Sequence, residues 1–314
     1  MMPRSATFSI PPGKRLLPLL LAVVLGAGVP FYLARDKKPA IVMPDASKYI
    51  QVSKTVKKNM RFLPGGRLRI DTGFMGNITI EGWDRPQVSV TADIMAWGIS
   101  TEQAMAHIQQ IEPVFQREET EIRILSRHPE SFQMGRIDYT IKVPGDRTDM
   151  KISSLRGFIA ITDVNGWIEG DTVIGYLSLL RLSGYISLRT EEGDILVQLQ
   201  GNRWEGLQIS VVTKKGDIRL FMPTDYHTDL TLITEIGAIT SDFPDFMQEG
   251  STTPVLIRTK DEGQFISQKI RDGGPTVVVQ TDHGNIDFRK YERDVEEITP
   301  RTNAPQTHPP DPEK

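Results

Sequence analysis

Apolar and polar residues alternate in Arg67-Leu68-Arg69-Ile70-Asp71 and again, past Gly73 and Gly76, in Asn77-Ile78-Thr79-Ile80-Glu81. A period of two sends alternate side chains to opposite faces, so each run predicts a half-buried strand. Gly82, Asp84 and Pro86 mark a turn before a third run, Val88–Ala92. The period then lengthens. Ser100-Thr101-Glu102-Gln103 predicts a helix start with Thr101 as N-cap, and Ala104, Ile108 and Ile111 share one face as far as about Glu112. Two more strand-like runs, Glu121–Leu125 and Ile137–Val143, precede Pro144-Gly145.

A repeat follows. Gly157, Gly166, Gly175, Gly184 and Gly193 stand at a constant nine-residue step, heading the units GFIAITDVN, GWIEGDTVI, GYLSLLRLS, GYISLRTEE and GDILVQLQG. Looser copies begin at Gly216, Gly237 and Gly284, and Gly76-Asn77-Ile78 has the same form. Glycine supplies the positive φ of a sharp corner. Beyond it, aliphatic pairs such as Ile159 and Ile161, Leu177 and Leu179, or Ile195 and Val197 recur at strand period. One corner and one short strand cannot bury an apolar face alone, so the units must stack. Two units would make one coil, which places Phe158 beside Tyr176 and Trp167 beside Tyr185. A regular antiparallel sandwich is the competing architecture.

The N-terminus changes the picture of location. Leu16–Leu33 is uncharged, with Arg4, Lys14 and Arg15 before it and Arg35, Asp36, Lys37 and Lys38 after it. A span needs roughly 20 apolar helical residues, and the core of a cleaved signal peptide is about 7–15. The run therefore reads as a signal anchor over 16–34, with a cleaved signal as the alternative. Residues 35–60 read as a polar stalk and 292–314, rich in proline, as a disordered tail. A net charge of −3 provides no field for nucleic acid, and the absence of cysteine excludes disulfides and thiolate chemistry.

Candidate chemistry is sparse. The five histidines have no second histidine at ligand spacing, and the nucleophile-elbow, P-loop, dinucleotide and zincin motifs are missing. Asp171, Asp194, Asp217, Asp282 and Asp287 sit near corners, where an aspartate hydrogen-bonds to nearby backbone. The residue after each repeat glycine runs Phe, Trp, Tyr, Tyr, Asp, so no calcium-binding carboxylate ladder is expected. Lys214, Lys215 and Asp217 are the nearest approach to a polysaccharide-lyase centre. The aromatics Phe158, Trp167, Tyr176 and Tyr185, turned outward by strand alternation, are the candidate binding residues. They are either a surface for sugar rings or a partner's apolar patch, or a stack that stabilises the coils.

From Gly66 to Tyr291 the chain resembles a bacterial family of putative adhesins, exported β-strand repeat proteins of unassigned function. The resemblance rests on IDTGFMGNITIEGWDRPQVSV, YTIKVPG, RTEEGDILVQL, TKKGDIRLFMP and VVVQTDHGNIDF, in that order. The aromatics after several glycines depart from the family's commoner Gly-Asp corner. The resemblance implies a parallel β-solenoid (single-stranded β-helix), an envelope location and no catalytic residues. The expected layout is a cytoplasmic segment or signal n-region 1–15, the anchor 16–34, the stalk 35–60, a strand–helix section 61–145, solenoid repeats 146–291 and the tail 292–314. The expected protein is a mainly β, membrane-anchored, non-enzymatic envelope protein without cofactor or metal, its β domain periplasmic or extracellular. Its partners would be an envelope polysaccharide or protein, with the membrane reached through the N-terminal helix. A self-assembling scaffold and a polysaccharide-active enzyme are the alternatives.

Overall fold

Seven glycines, Gly76, Gly157, Gly175, Gly193, Gly216, Gly284 and Gly237, stack in a single column along the described part of this protein. The computed structural model describes residues 49–63, 65–129, 132, 134–243, 257–258 and 263–291. All of these fall in one compact unit. The expected anchor (16–34), the tail (292–314) and most of the stalk lie outside the described residues. No helix among the described residues is long and apolar enough to cross a membrane.

The strands run in chain order as β1 (Ile50–Arg61), β2 (Arg67–Asp71), β3 (Ile78–Trp83) and β4 (Gln87–Gly98). Helix α1 (Thr101–Gln109) follows, then β5 (Glu112–Arg117), β6 (Glu121–Arg127) and β7 (Gly135–Pro144). Next come β8 (Asp149–Arg156), β9 (Ile159–Thr162), β10 (Asn165–Ile174), β11 (Leu177–Leu180), β12 (Ser183–Glu192) and β13 (Ile195–Gln198). The last are β14 (Gly206–Lys215), β15 (Ile218–Pro223), β16 (Thr228–Ile236), β17 (Ile239–Ser241), β18 (Ile257–Arg258), β19 (Gln264–Ile270), β20 (Thr276–His283) and β21 (Ile286–Tyr291).

These strands make two large mixed sheets. Sheet A has ten strands in the order β1-β4-β7-β3-β9-β11-β13-β15-β21-β17; sheet B has eleven, β18-β19-β16-β20-β14-β12-β10-β8-β2-β6-β5. In the middle the chain alternates between sheets, giving one strand to B and the next to A, and each strand pairs in parallel with its counterpart from the following rung. Ile168 faces Ile186 and Leu177 faces Ile195, both at eighteen-residue offsets, which is twice the glycine step. The inward aliphatics from both sheets form one continuous core, with Ile159, Ile161, Leu177, Leu179, Ile186, Leu188, Ile195 and Val197 all at 2% exposure or less. Burial of each such side chain is worth about 1.5–3 kcal/mol.

Sequence order and spatial order part company at both ends. The rung β2/β3 lies between β6/β7 and β8/β9, and the last rung, β20/β21, lies between β14/β15 and β16/β17. The stretch 61–145 is therefore not a separate section: β2, β3, β6 and β7 are rungs of the same two sheets. Antiparallel strands close the ends, β4 and β1 beyond β7, β5 against β6, and β19 with β18 against β16.

Two local expectations need correction. Residues 50–60, read as the end of a stalk, belong to β1, whose side chains are mostly exposed and which is held by pairing along its whole length with β4. The helix is capped by Ser100, whose Oγ accepts the Gln103 N–H, and ends at Gln109 because Glu112 is already in β5. Thr101 is the first helical residue.

Candidate functional site

Gly76, Gly157, Gly175, Gly193, Gly216, Gly237 and Gly284 stand at the corner where the chain leaves sheet B for sheet A, whereas Gly166 and Gly184 of the nine-residue series lie within β10 and β12. A Cβ on Gly157 would overlap the carbonyl oxygen of Gly76. The same holds for Gly175 on Gly157, Gly193 on Gly175, Gly216 on Gly193, Gly284 on Gly216, and Gly237 on Gly284. Only hydrogen lets the backbones approach this closely. The carbonyls of this column have a second, inward partner. The hydroxyls of Thr190, Thr213, Thr281 and Thr234 donate to the oxygens of Gly175, Gly193, Gly216 and Gly284 at 3.3, 2.9, 2.9 and 2.8 Å. That explains the threonine three residues before Gly193, Gly216, Gly284 and Gly237. Thr172 and Ser154 occupy the same place two rungs earlier, buried, with no hydrogen-bond partner for their hydroxyls.

The residue after each glycine forms a third column. Asp138 Oδ1 accepts the Asn77 N–H, Asn77 Oδ1 accepts that of Phe158, and Asp194 Oδ1 that of Asp217. Asp217 Oδ1 accepts the Asn285 N–H, and Asn285 Oδ1 that of Ala238. Asp194 and Asp217 therefore bond to the backbone of the next rung, 23 and 68 residues away, and not to backbone within their own turn as the sequence suggested. Between Asn77 and Asp194 the ladder is interrupted by Phe158 and Tyr176, whose rings stack at 5.5 Å and 9°. Burial raises the Tyr176 hydroxyl above the ordinary tyrosine value.

Trp167 and Tyr185 form a second stack, at 4.0 Å and 24°. The four aromatics are thus not one ladder but two pairs, separated by the four-residue strands of sheet A. Their surroundings differ. Phe158 and Tyr176 share the outward face of sheet A with Ala160, Ser178 and Leu196, which are 9%, 1% and 2% exposed, so the central strands of that sheet are buried on both faces. Sheet B is buried on its inward face alone. Outward positions of β10 and β12 alternate with Ile168, Thr172, Ile186, Leu188 and Thr190 of the core and carry Trp167, Glu169, Asp171, Ser187 and Arg189.

Trp167 is 46% exposed yet held at three points. Its backbone N–H donates to Asp149 Oδ1 at 3.0 Å, its indole Nε1–H donates to Glu169 Oε1 at 2.8 Å, and its ring lies on Tyr185. Cross-strand register sets Arg67 beside Asp149, Arg69 beside Lys151 beside Glu169 beside Ser187, and Ser153 beside Asp171 beside Arg189. The result is a flat field of hydrogen-bonding groups, one row per alternate residue and one column per strand, about 4.8 Å apart. The nine-residue step marks the aromatics of this face, but not Asp149 or Glu169, whose partnership with Trp167 appears only in the folded chain.

Other sequence candidates are dispersed. Lys214 pairs with Glu191, and Asp217 is occupied by the Asn285 N–H. His107 Nδ1 meets the Trp97 carbonyl, His128 stacks on Phe74, and His227 lies 3.5 Å from Asp272. No group of three or more histidine, aspartate or glutamate side chains among the described residues is placed to hold a metal ion. Trp204, which no periodicity marks, is buried and donates its Nε1–H to the Gly184 oxygen at 2.8 Å, filling the wider rung between β13 and β14.

No family model matches the chain, and no curated protein matches it. Among solved structures, it is similar to a putative cell adhesion protein from Clostridium sporogenes (TM-score 0.41, 13% identity), over 76% of this chain and 100% of that one. It is similar to a putative adhesin from Bacteroides fragilis (TM-score 0.31, 11% identity), over 76% of this chain and 97% of that one. A putative adhesin from Parabacteroides merdae is similar over 76% of this chain and 96% of that one (TM-score 0.21, 8% identity). These three solved structures are of bacterial putative adhesins or cell adhesion proteins.

Proposed function

We propose that this protein is a non-enzymatic, membrane-anchored envelope protein whose rungs form a β-solenoid that displays the outward face of sheet B to envelope or surface partners. One observation carries the reading: the repeat motif is consumed by architecture, while Trp167 stands exposed and rigidly held on the open outward face of sheet B. Glycine, threonine and Asp/Asn at the corners all serve neighbouring rungs. The apolar run 16–34 supplies the anchor, and export of the part that follows it places the rungs outside the cytoplasm.

The two alternatives are weaker on the same evidence. Strand-by-strand self-assembly needs open edges, whereas β17 and β18 have three and two residues, β5 carries Pro113, and β1 carries Lys54, Lys57 and Lys58. A polysaccharide lyase needs its base and carboxylates free to act, whereas Lys214 and Asp217 are engaged. The test is co-sedimentation of the full chain, in mild detergent, with cell-wall and membrane fractions. Retention by at least one fraction above the micelle control is expected; a chain left in every supernatant contradicts the reading.

A further inference from the structure

We propose that the Trp167 region of sheet B docks a neutral, linear glycan, one sugar ring lying on the exposed part of the indole. The inference rests on the binding-module reading and names its ligand class. Three properties of the site point to a sugar. First, a pyranose presents a C–H face ringed by hydroxyls, and an aromatic face, negative at its centre, attracts such polarised C–H groups. Trp167 offers a ring whose orientation is already fixed by Asp149, Glu169 and Tyr185, so little entropy is lost on docking.

Second, the side chains next to Trp167 are half-buried or exposed hydrogen-bonding groups and form no desolvated pocket of the kind that holds a protein hot spot, the exposed Leu155 and Val173 lying at the far ends of β8 and β10. Asp149 and Glu169 each use one oxygen on Trp167, and a carboxylate retains acceptor capacity beyond that. Lys151 and Ser187 flank Glu169 in the same row and supply donors. The columns recur at strand spacing, about 4.8 Å, which suits a chain of similar units laid across the strands.

Third, the charges cancel. Arg67, Lys151 and Arg189 stand against Asp149, Glu169 and Asp171, and Arg69 pairs with Asp71 at 3.8 Å. Such a field favours neither a polyanion nor a polycation, so a neutral polymer is the matching class.

The experiment is isothermal titration of the full chain, in mild detergent, with cellohexaose and chitohexaose, and with alginate as polyanionic comparison. Binding of at least one neutral oligosaccharide is expected, with affinity changing less than about two-fold between low and moderate salt. Trp167→Ala should weaken it at least ten-fold while the melting temperature falls by no more than about 4 °C, and Trp167→Phe should restore part of it. Absence of binding to both neutral sugars, binding of alginate alone, or unaltered affinity in Trp167→Ala overturns the inference. A chain that co-sediments with envelope material yet fails here refutes the glycan and leaves the binding module standing.

Discussion

The two aromatic pairs arise from the same nine-residue step and end in opposite circumstances. Phe158 and Tyr176 replace corner Asp/Asn residues on a sheet whose central strands are buried on both sides. Trp167 and Tyr185 lie on a sheet with one open face, among charged and hydroxylated neighbours. Equivalent residues at equivalent spacing are thus divided by the sheet to which each belongs. Periodicity identifies what faces outward; only the assembled layers decide which outward face meets solvent.

The largest effect should come from the corner beneath the first pair. Gly193→Ala forces a Cβ into the Gly175 carbonyl at a φ of +150° and should cost at least about 4 kcal/mol in denaturant unfolding. Gly201→Ala, at a φ of +74° with its nearest neighbour 3.7 Å away, should cost only about 1–2 kcal/mol. Equal losses would mean that close approach does not govern the column.

The pairs themselves come next. Phe158→Ala should cost about 2 kcal/mol and Trp167→Ala about 1 kcal/mol or less, since the exposed ring loses its stack but little buried area. A Trp167 loss exceeding the Phe158 loss would reverse the contrast drawn here. Thr213→Val removes the bond to Gly193 and should cost about 1–2 kcal/mol, whereas Thr172→Val, where the hydroxyl is buried without a partner, should be neutral or stabilising.

The smallest effect is one of pH on the closed side. Burial pushes Tyr139 up to about 12, against a small opposing effect of its hydrogen bond with Ser126. The unfolded chain ionises this tyrosine near pH 10. The folded chain holds it neutral, so stability falls as pH rises from about 10 to 12. Tyr139→Phe loses the Ser126 bond and should be about 1 kcal/mol less stable at pH 8. That deficit should narrow by about pH 11, as melting curves at the two pH values would show. A constant deficit would mean that Tyr139 is not shielded.

Much of this was readable before any coordinates. The alternations at Arg67–Asp71 and Glu121–Leu125, the nine-residue glycine step and the stacking partners of Phe158 and Trp167 all follow from local spacing. What escaped notice depends on pairs far apart in sequence. β1 has no buried stripe to betray it and is a strand because β4 is beside it. The placing of β2 between β6 and β8, and of β20 between β14 and β16, leaves no local mark. Asp194 reads as a turn residue but serves Asp217 on the next rung. Glu169 carries no mark in the sequence, yet it fixes the Trp167 indole.

The most direct test compares the pairs as binding elements. The full chain, a Phe158→Ala/Tyr176→Ala variant and a Trp167→Ala/Tyr185→Ala variant, each verified as folded by circular dichroism, would be co-sedimented with envelope fractions. Retention of the first variant at the wild-type level and loss of the second is the predicted result. Loss in the first alone, or retention in both, would contradict the assignment of binding to the open face of sheet B.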